Sequence, residues 1–344
     1  MINKFRTKPH IILCFEALFR FLKKTVRNSN LLLEEYASYL AGYRGEKATD
    51  YTLSIYPHKN SWIYQDLRLN NGPFHFQIDT LIVTAKLIII LEIKNLRGEL
   101  EYDSRTQQLI QKYGNVKKRH KSPILQAEAQ KMNLIKWLND RGFPPIPIET
   151  IAVISNPSSI LVNVQDDPSI FNKLINLENL PPILNDLFDK YNVNRFDKKT
   201  ITELNNYLLN AHNPLDTDLI KQFNVTENNL IKGIPCSKCE HYPMVRQNKT
   251  WFCQKCHHVD SKAHERVILD YFLLFNTTIT NKECRELLQL KSSKTAYRLL
   301  RAMNLESTGN NSARKYHAPP LHEFPQNSSI PNDINSQNYN IEIR

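Results

Sequence analysis

The spacing of apolar residues changes along the chain from a helical period to a strand-like one. Between Phe15 and Ala48 they recur every three or four positions, which predicts one or two helices ending near Tyr51. Beyond Asn60 short β-prone runs follow, and an Asn-Asn-Gly-Pro sequence at 70–73 marks a turn. The pattern predicts an antiparallel meander, with strands at 62–69, 74–84 and 87–95.

Helical and strand patterns alternate after this meander. Residues 112–121 are polar and basic and are predicted to form a loop. A helix is predicted at 124–138, a strand at 150–155, and two or three helices between 177 and 209. The order of helix, strands, helix and strand predicts an α/β fold with a central sheet flanked by helices.

Three charged residues interrupt the apolar strands of the meander, namely Asp79, Glu92 and Lys94. Because side chains alternate along a strand, Glu92 and Lys94 share one face. If the hairpin turns at Ala85-Lys86, which is not a preferred turn sequence, Asp79 lies opposite Glu92. Two carboxylates so close repel each other, and a divalent cation would remove the repulsion. A Glu-x-Lys triplet alone is also typical of a partly buried ion pair.

These residue types suit phosphodiester hydrolysis. Asp79 and Glu92 would hold Mg²⁺ or Mn²⁺, which polarises the scissile phosphate and lowers the pKa of a bound water. Lys94 would serve the water and the phosphate.

The wider pattern resembles the nuclease-related (NERD) domain of the PD-(D/E)xK nuclease superfamily. Matching strings are Gly45-Glu46, Gln77-Ile78-Asp79, Glu92-Ile93-Lys94-Asn95 with Gly98, and Pro123 with Gln126. The resemblance covers roughly residues 40 to 160 and implies a restriction-endonuclease-like sheet. It also implies Asp79 and Glu92 as metal ligands, Lys94 as the catalytic lysine, Glu46 as an additional acid and Gln126 as an orienting amide.

Charge is concentrated toward the C-terminal end. The net charge of the chain is +11, and residues 232–317 contain 15 Lys or Arg against 7 Asp or Glu. A clustered positive surface attracts the phosphate backbone of nucleic acids, and DNA is the expected partner.

Four of the six cysteines form two matched Cys-x-x-Cys pairs. Each pair can supply two thiolates to a tetrahedral Zn²⁺, which predicts a structural zinc ribbon and makes a redox role the weaker alternative. His257 and His258 are alternative ligands. The predicted ligands are Cys236, Cys239, Cys253 and Cys256. Lys238, Arg246, Lys249 and Lys255, beside Trp251 and Phe252, suit a nucleic-acid backbone.

A helix-turn-helix pattern follows the cysteines. A helix is predicted at 261–275, Thr280 and Glu283 form a capping box for the next, and Ser292 or Ser293 caps a third that ends at Met303. Residues 305–316 are typical of the wing of a winged helix; a generic helical hairpin is the alternative. The third helix would contact DNA through Lys294, Tyr297, Arg298 and Arg301.

The predicted organisation is a helical segment (1–37), a nuclease domain (38–211), a linker (212–231), a zinc ribbon (232–260), a winged-helix-like domain (261–318) and a disordered tail (319–344). It indicates a cytoplasmic, metal-dependent (endo)nuclease that the C-terminal domains bring to DNA. The alternatives are a non-catalytic DNA-binding protein with an inactive nuclease-like domain and a zinc-dependent adaptor for acidic proteins. No membrane span is expected, and the oligomeric state stays open, a homodimer included.

Overall fold

The computed structural model describes residues 1–57, 60–215, 217–328, 330, 331, 333 and 334. The chain forms two compact units. Unit 1 comprises Met1–Arg6 and Ala41–Pro214, and unit 2 comprises Thr7–Leu40 and Leu215–Arg344. None of the helices in these described stretches is long and apolar enough to cross a membrane.

In chain order the helices are α1 (His10–Phe21), α2 (Lys24–Arg27), α3 (Asn30–Ile55), α4 (Pro123–Asn139), α5 (Leu180–Lys190), α6 (Lys198–Ala211), α7 (Leu219–Gln222), α8 (Ala263–Leu274), α9 (Asn281–Leu288) and α10 (Ser293–Ala302). The strands of unit 1 are β1 (Ile2–Lys4), β2 (Trp62–Asn71), β3 (Phe74–Val83), β4 (Ile88–Lys94), β5 (Gly98–Asp103), β6 (Gln108–Tyr113), β7 (Val116–His120), β8 (Ile148–Ile154), β9 (Ser159–Asn163) and β10 (Leu174–Asn176). Those of unit 2 are β11 (Val245–Gln247), β12 (Thr250–Phe252), β13 (Val259–Asp260), β14 (Thr278–Thr280), β15 (Ser307–Thr308) and β16 (Lys315–His317).

Unit 1 is built on a mixed sheet in the order β1-β2-β3-β4-β8-β10. Strands β2, β3 and β4 are antiparallel, whereas β4, β8 and β10 run parallel. Leucines and isoleucines on one face pack against α4 and α6, and those on the other face pack against α3 and α5. The predicted α/β fold with a helix-flanked central sheet is confirmed.

The predicted meander and its register are also confirmed. Thr80 pairs with Leu91 and Val83 with Ile88, which is the alignment expected for a turn at Ala85-Lys86. Thr84 explains how this unfavourable sequence turns, because its hydroxyl accepts hydrogen bonds from the backbone amides at 86 and 87 and donates to the Leu87 carbonyl. A threonine side chain replaces the glycine that a tight hairpin usually needs.

A second sheet, in the order β7-β6-β5-β9, corrects the prediction of a loop at 112–121. Strands β6 and β7 form a hairpin in that region, with Lys112 paired to Lys117 and Tyr113 to Val116. The strand was missed because the exposed edge strand β7 carries almost no apolar residues, so the alternation that marks a half-buried strand is absent.

The ends of the predicted domains differ from the observed grouping. Residues 2–4, expected in a helical segment, form β1 and pair in parallel with β2. The predicted linker at 212–231 contains α7, whose Leu219 is buried. Residues 7–40 group with the C-terminal part of the chain.

Unit 2 contains two small sheets. The first, β11-β12-β13, lies around the four cysteines, and its hairpin turns through Asn248 and Lys249, both at positive φ. The second has the order β14-β16-β15 and is accompanied by α8, α9 and α10. The predicted Thr280–Glu283 capping box and the Ser292 N-cap are both present.

The described part of the predicted disordered tail packs on unit 2. Phe324 and Ile334 are buried, and the Ser328 hydroxyl donates to Glu16 over 2.7 Å. Asp333 forms an ion pair with Arg27. A few buried apolar contacts and ion pairs suffice to order this polar segment. Its composition alone does not reveal that these contacts form. The remainder of the predicted tail, including 335–344, lies outside the described residues.

Candidate active site and zinc centre

The candidate site lies where β3 and β4 separate. The last backbone pair between these strands joins Thr80 to Leu91, so Asp79 and Glu92 are one position beyond it, in the same register. The Asp79 carboxylate instead accepts a hydrogen bond from the Ile93 amide over 2.8 Å. A side chain thus replaces the strand ladder, and β4 continues alone with β8 as far as Lys94.

Glu92 and Lys94 extend the stripe of β4 that faces α4. Ile88 and Ile90 of that stripe are core residues, whereas the next position, Glu92, holds a carboxyl group that is only 4% exposed. Its Oε1 lies 2.7 Å from the Lys94 ammonium, and Gln130 of α4 donates to Oε2. The same-face prediction is confirmed, and the ion pair expected of an isolated Glu-x-Lys triplet is present as well.

Glu46, on α3, is held by a cation from the start of the chain. The Arg6 guanidinium lies 2.6 Å from Glu46 and 2.8 Å from Asp50. It also donates to the Asp79 carbonyl over 2.7 Å and to Thr80 Oγ1. Arg6, whose side chain is only 2% exposed, therefore connects the acids of α3 to the strand that carries Asp79.

Gly45 lets α3 approach the end of β4. A Cβ at this position would lie 2.4 Å from Asn95 Cβ and 2.4 Å from Ser155 Oγ, which no ordinary packing tolerates. Asn95 in turn donates to the Ala41 carbonyl over 2.7 Å. The glycine and this hydrogen bond set the distance between Glu46 and the strand that ends in Lys94.

Burial and repulsion between neighbouring carboxylates raise the pKa values of Glu46 and Asp79. Burial raises the pKa of Glu46 to about 7, against the stabilising charge of Arg6, with Asp66, Asp50 and Glu92 adding to the rise. Burial, together with the charges of Glu92 and Glu46, also raises the pKa of Asp79 well above its ordinary value. A bound cation would reverse these shifts, because it favours the charged carboxylates.

We expect Arg6→Ala to lower the free energy of unfolding of unit 1 by about 3–5 kcal/mol at pH 8, because two buried carboxylates lose their cation. The folded-state pKa of Glu46, about 7, exceeds its ordinary 4.5. Because the unfolded chain loses this proton first, the free energy of unfolding falls as the pH rises from about 4.5 to about 7. Loss of Arg6 would raise this pKa further, and the destabilisation should be smaller at pH 5.5. Urea unfolding at both pH values measures the difference.

Arg105→Ala is the matched control, since Arg105 is exposed in the same unit. The triple variant Arg6→Ala/Glu46→Gln/Asp50→Asn should recover part of the lost stability. Equal losses at the two pH values, or no recovery, would show that Arg6 acts by packing and not by charge.

The proposed orienting amide, Gln126, lies one helical turn before Gln130 on α4 and so shares its face. Its Oε1 is buried and accepts no hydrogen bond from any described residue. Gln130 and Arg6 were missed by sequence reasoning. The spacing from Gln126 could have revealed Gln130, but no local pattern points to Arg6.

The site residues have the chemistry of a hard-cation site, although they do not converge on one point. Their oxygen donors, carboxylates and an unpartnered amide carbonyl, suit Mg²⁺ or Mn²⁺. Within the part of the chain that the structure describes, only the four cysteines form a group of three or more ligand atoms all within 4.8 Å of one another. The carboxylates of Glu46, Asp79 and Glu92 therefore do not all lie within that distance of one another.

The four cysteines are brought together as predicted. The Sγ atoms of Cys236 and Cys256 are 3.6 Å apart, and those of Cys239 and Cys253 are 3.5 Å apart. Sulfurs bound to one tetrahedral zinc at ~2.3 Å lie ~3.8 Å from each other, so the group fits Zn²⁺.

The two Cys-x-x-Cys segments have the same backbone geometry. The Cys236 carbonyl accepts from the Glu240 amide and the Cys253 carbonyl from the His257 amide, each over 2.9 Å. Glu240 and His257 both have φ near +60°. His257 therefore shapes a knuckle, and the ligand group contains no histidine.

Trp251 does not offer a surface for nucleic acid. It is 1% exposed, its indole donates to His264 over 3.2 Å, and Arg246 stacks over its ring. The expectation that Trp251 stands beside the basic residues of the ribbon as a contact is corrected, because this side chain forms the small core of the ribbon.

The predicted DNA-contacting residues lie on the exposed face of α10. Leu299 and Leu300 of this helix are buried. Those on the exposed face are Lys294, Tyr297, Arg298 and Arg301.

Comparison with known proteins agrees with the site in unit 1. Residues 41–155 match the family described as "Nuclease-related domain" (NERD). No curated protein and no solved structure matches the chain. The match spans β2 to β8 and the residues from Glu46 to Gln126 that were singled out above. The chain therefore carries a nuclease-related domain at residues 41–155.

Proposed function

We propose that this protein is a metal-dependent nuclease that hydrolyses phosphodiester bonds in DNA. The observation that carries the proposal is the group of buried acids in the nuclease-related domain, in which burial and the neighbouring carboxylates raise the pKa values of Glu46 and Asp79. Perturbed pKa values cluster at catalytic and metal sites, where burial and groups of like charge shift them together.

The residues have distinct roles in this proposal. Asp79 and Glu92 would hold the cation, which supplies a polarised phosphate and an activated water. Lys94, 2.7 Å from Glu92, can turn toward the phosphate and stabilise its developing charge. Gln130 orients Glu92 from α4, Gln126 offers its free carbonyl, and Glu46 acts as a further acid.

DNA binding by unit 2 is the second part of the proposal. Helix α8, strand β14, helices α9 and α10 and the β15–β16 hairpin follow one another in the order of a winged helix. The exposed cations of α10 suit insertion into the major groove. Both features support the winged-helix prediction.

One observation favours a non-catalytic DNA-binding protein instead. Both Glu92 oxygens are engaged, by Lys94 and Gln130, and an Asp79 oxygen is engaged by the Ile93 amide. Carboxylate oxygens that are already bound to neighbouring side chains and backbone are compatible with a domain that no longer binds a metal ion.

Cleavage assays separate these functions. The full chain is incubated with plasmid, linear duplex, single-stranded DNA and RNA, with Mg²⁺, Mn²⁺ or EDTA. Cleavage that requires the cation supports the nuclease. Retention of DNA without cleavage under every condition supports the binding protein.

At subsaturating Mg²⁺, where the acids are largely free of the cation, cleavage should increase between pH 6 and pH 8. Glu46, with a pKa of about 7, must lose its proton to act beside a cation, and Asp79 shifts in the same direction. The pH profile of kcat/KM measures this. In Glu46→Gln the step near pH 7 should disappear. An unchanged pH profile in this variant would show that Glu46 is not the group whose titration causes the step.

The variant Arg298→Gln/Arg301→Gln should weaken retention of duplex DNA. Each lost phosphate contact lowers the slope of log affinity against log salt by ~0.9. Lys24→Gln/Lys221→Gln removes two exposed charges elsewhere in unit 2 and is the control. Equal slopes for the two variants would count against α10 as the contact.

A further inference from the structure

Strand β7 carries a run of cations at the edge of the second sheet. Lys117, Lys118, Arg119 and Lys121 fall within five positions that contain no acid. All four are exposed, and none forms an ion pair with any residue that the structure describes. We call β6, β7 and Lys121 the basic arm.

The acids nearest to the basic arm do not cancel its charge. Glu99 and Glu101 of β5 face Lys112, which lies 3.0 Å from Glu99 and also pairs with Glu101. Lys112 thereby offsets one of the three negative charges of β5. The cations of β7, on the far side of β6, stay uncompensated.

Short connections fix the basic arm to the candidate active site. Only three residues separate Lys94, at the end of β4, from β5, and only two separate β7 from α4, which carries Gln126 and Gln130. At this junction Ser122 caps α4 and shares a hydrogen bond of 3.2 Å with Tyr102 of β5. The arm has little freedom to swing away.

Electrostatics agree with this placement. His120 ends β7, and its ring lies 2.8 Å from Gln111 Oε1. Burial, and then the charges of Lys118 and Lys94, lower its pKa. Lys94 is therefore one of the charges that act on the residue at the end of β7.

We propose that the basic arm binds the sugar-phosphate backbone of a nucleic acid and directs it to Asp79, Glu92 and Lys94. This inference rests on the proposed function and adds a binding site within unit 1. Alternate residues of an extended strand share one face and lie ~6.6 Å apart, so Lys117 and Arg119 form a track that Lys121 extends beyond the end of β7, with Lys118 on the opposite face. Contacts of this kind are independent of base sequence and sensitive to salt.

Charged side chains on an edge strand can also serve only to prevent strand addition between molecules. Glutamates can serve that role too, because charge of either sign opposes the addition of another strand. A backbone-binding track instead requires positive charge. Reversing the sign of the charge separates the two roles.

The test uses the full chain with Glu92→Gln and no added Mg²⁺ or Mn²⁺, so that binding is measured without cleavage and without a chelator that would remove the zinc. The arm variant is Lys117→Glu/Lys118→Glu/Arg119→Glu/Lys121→Glu. The control reverses four exposed cations elsewhere in unit 1, namely Arg105, Arg195, Lys198 and Lys199. A second arm variant exchanges each lysine for arginine and Arg119 for lysine. The probes are an unrelated 30-mer as duplex DNA, single-stranded DNA and RNA, with polyglutamate as a polyanion of another class.

The arm variant should bind at least about tenfold more weakly, with a salt slope lower by roughly 2 to 4, and the charge-preserving variant should bind like wild type. Bound nucleic acid should slow amide exchange at 116–121. The three nucleic-acid probes show which backbone the arm prefers. Equal weakening in arm and control variants, absent protection, or equal affinity for polyglutamate would overturn the proposal.

The basic-arm proposal and the nuclease proposal would be contradicted by different results. If wild type cleaves and the arm variant cleaves equally well at every salt concentration, the arm proposal fails and the nuclease stands. If the arm binds as expected but wild type cleaves nothing, the proposed function fails and the arm stands.

Discussion

Glu92→Gln should lower kcat/KM for DNA cleavage by at least ~100-fold, the largest effect that we expect from a single substitution. The amide keeps the shape of the side chain but carries no charge to hold a cation. It also removes the ion pair with Lys94, whose ammonium lies 2.7 Å from Glu92. Initial rates on supercoiled plasmid with saturating Mg²⁺ measure the change.

Glu149→Gln is the matched control. Glu149 lies on β8, beside Ile89 of β4, whereas Glu92 lies beside Ala152. The control makes the same replacement of a carboxylate by an amide, but at the opposite end of the β4–β8 pair. That end is distant from the point where β3 and β4 separate. Near-wild-type cleavage by Glu92→Gln, in protein with an unchanged thermal melting temperature, would show that Glu92 does not act in catalysis.

Cys253→Ser/Cys256→Ser should reduce bound zinc from one ion per chain to almost none. Removing one knuckle leaves two thiolates, and structural zinc supplies ~10–16 kcal/mol of apparent binding energy in small domains. The sheet β11-β12-β13 should then unfold, because its strands are short and Trp251 is their only buried side chain. Metal analysis and acrylamide quenching of Trp251, which is 1% exposed in the fold, report the two effects.

Cys284→Ala is the control, since Cys284 is buried in α9 and lies outside the ligand group. It should keep its zinc and the protection of Trp251. The fluorescence of Trp62 and Trp137 in unit 1 should be unchanged in the double variant. Retention of a full equivalent of zinc by the double variant would contradict the four-cysteine site.

Features that depend on local periodicity were predicted from the sequence. The strands of the meander alternate and turn at one place, so their register follows from residue numbers alone. Matched Cys-x-x-Cys pairs predict a ligand group wherever the intervening chain is long enough to fold back. Capping residues mark helix starts without reference to the rest of the chain.

The basic arm shows where such reasoning fails. A strand that is exposed on the edge of a sheet needs no apolar alternation, because its partner strand supplies the hydrogen bonds. Strand β1 was missed for a related reason, since three residues are too few to show a period. In both cases pairing between strands determines the structure, and the segment's own composition does not.

The sequence by itself determined the meander, the positions of Asp79, Glu92 and Lys94 along it, and the four cysteines. Only the tertiary structure placed Arg6 against Glu46 and the Asp79 carbonyl, 40 and 73 positions away. Only it directed Gln130 to Glu92. Burial then raised the pKa values of the acids, and burial depends on what the whole unit packs around a side chain. A motif can supply the charged groups of this site, but their ionisation is set by neighbours that are distant in the sequence.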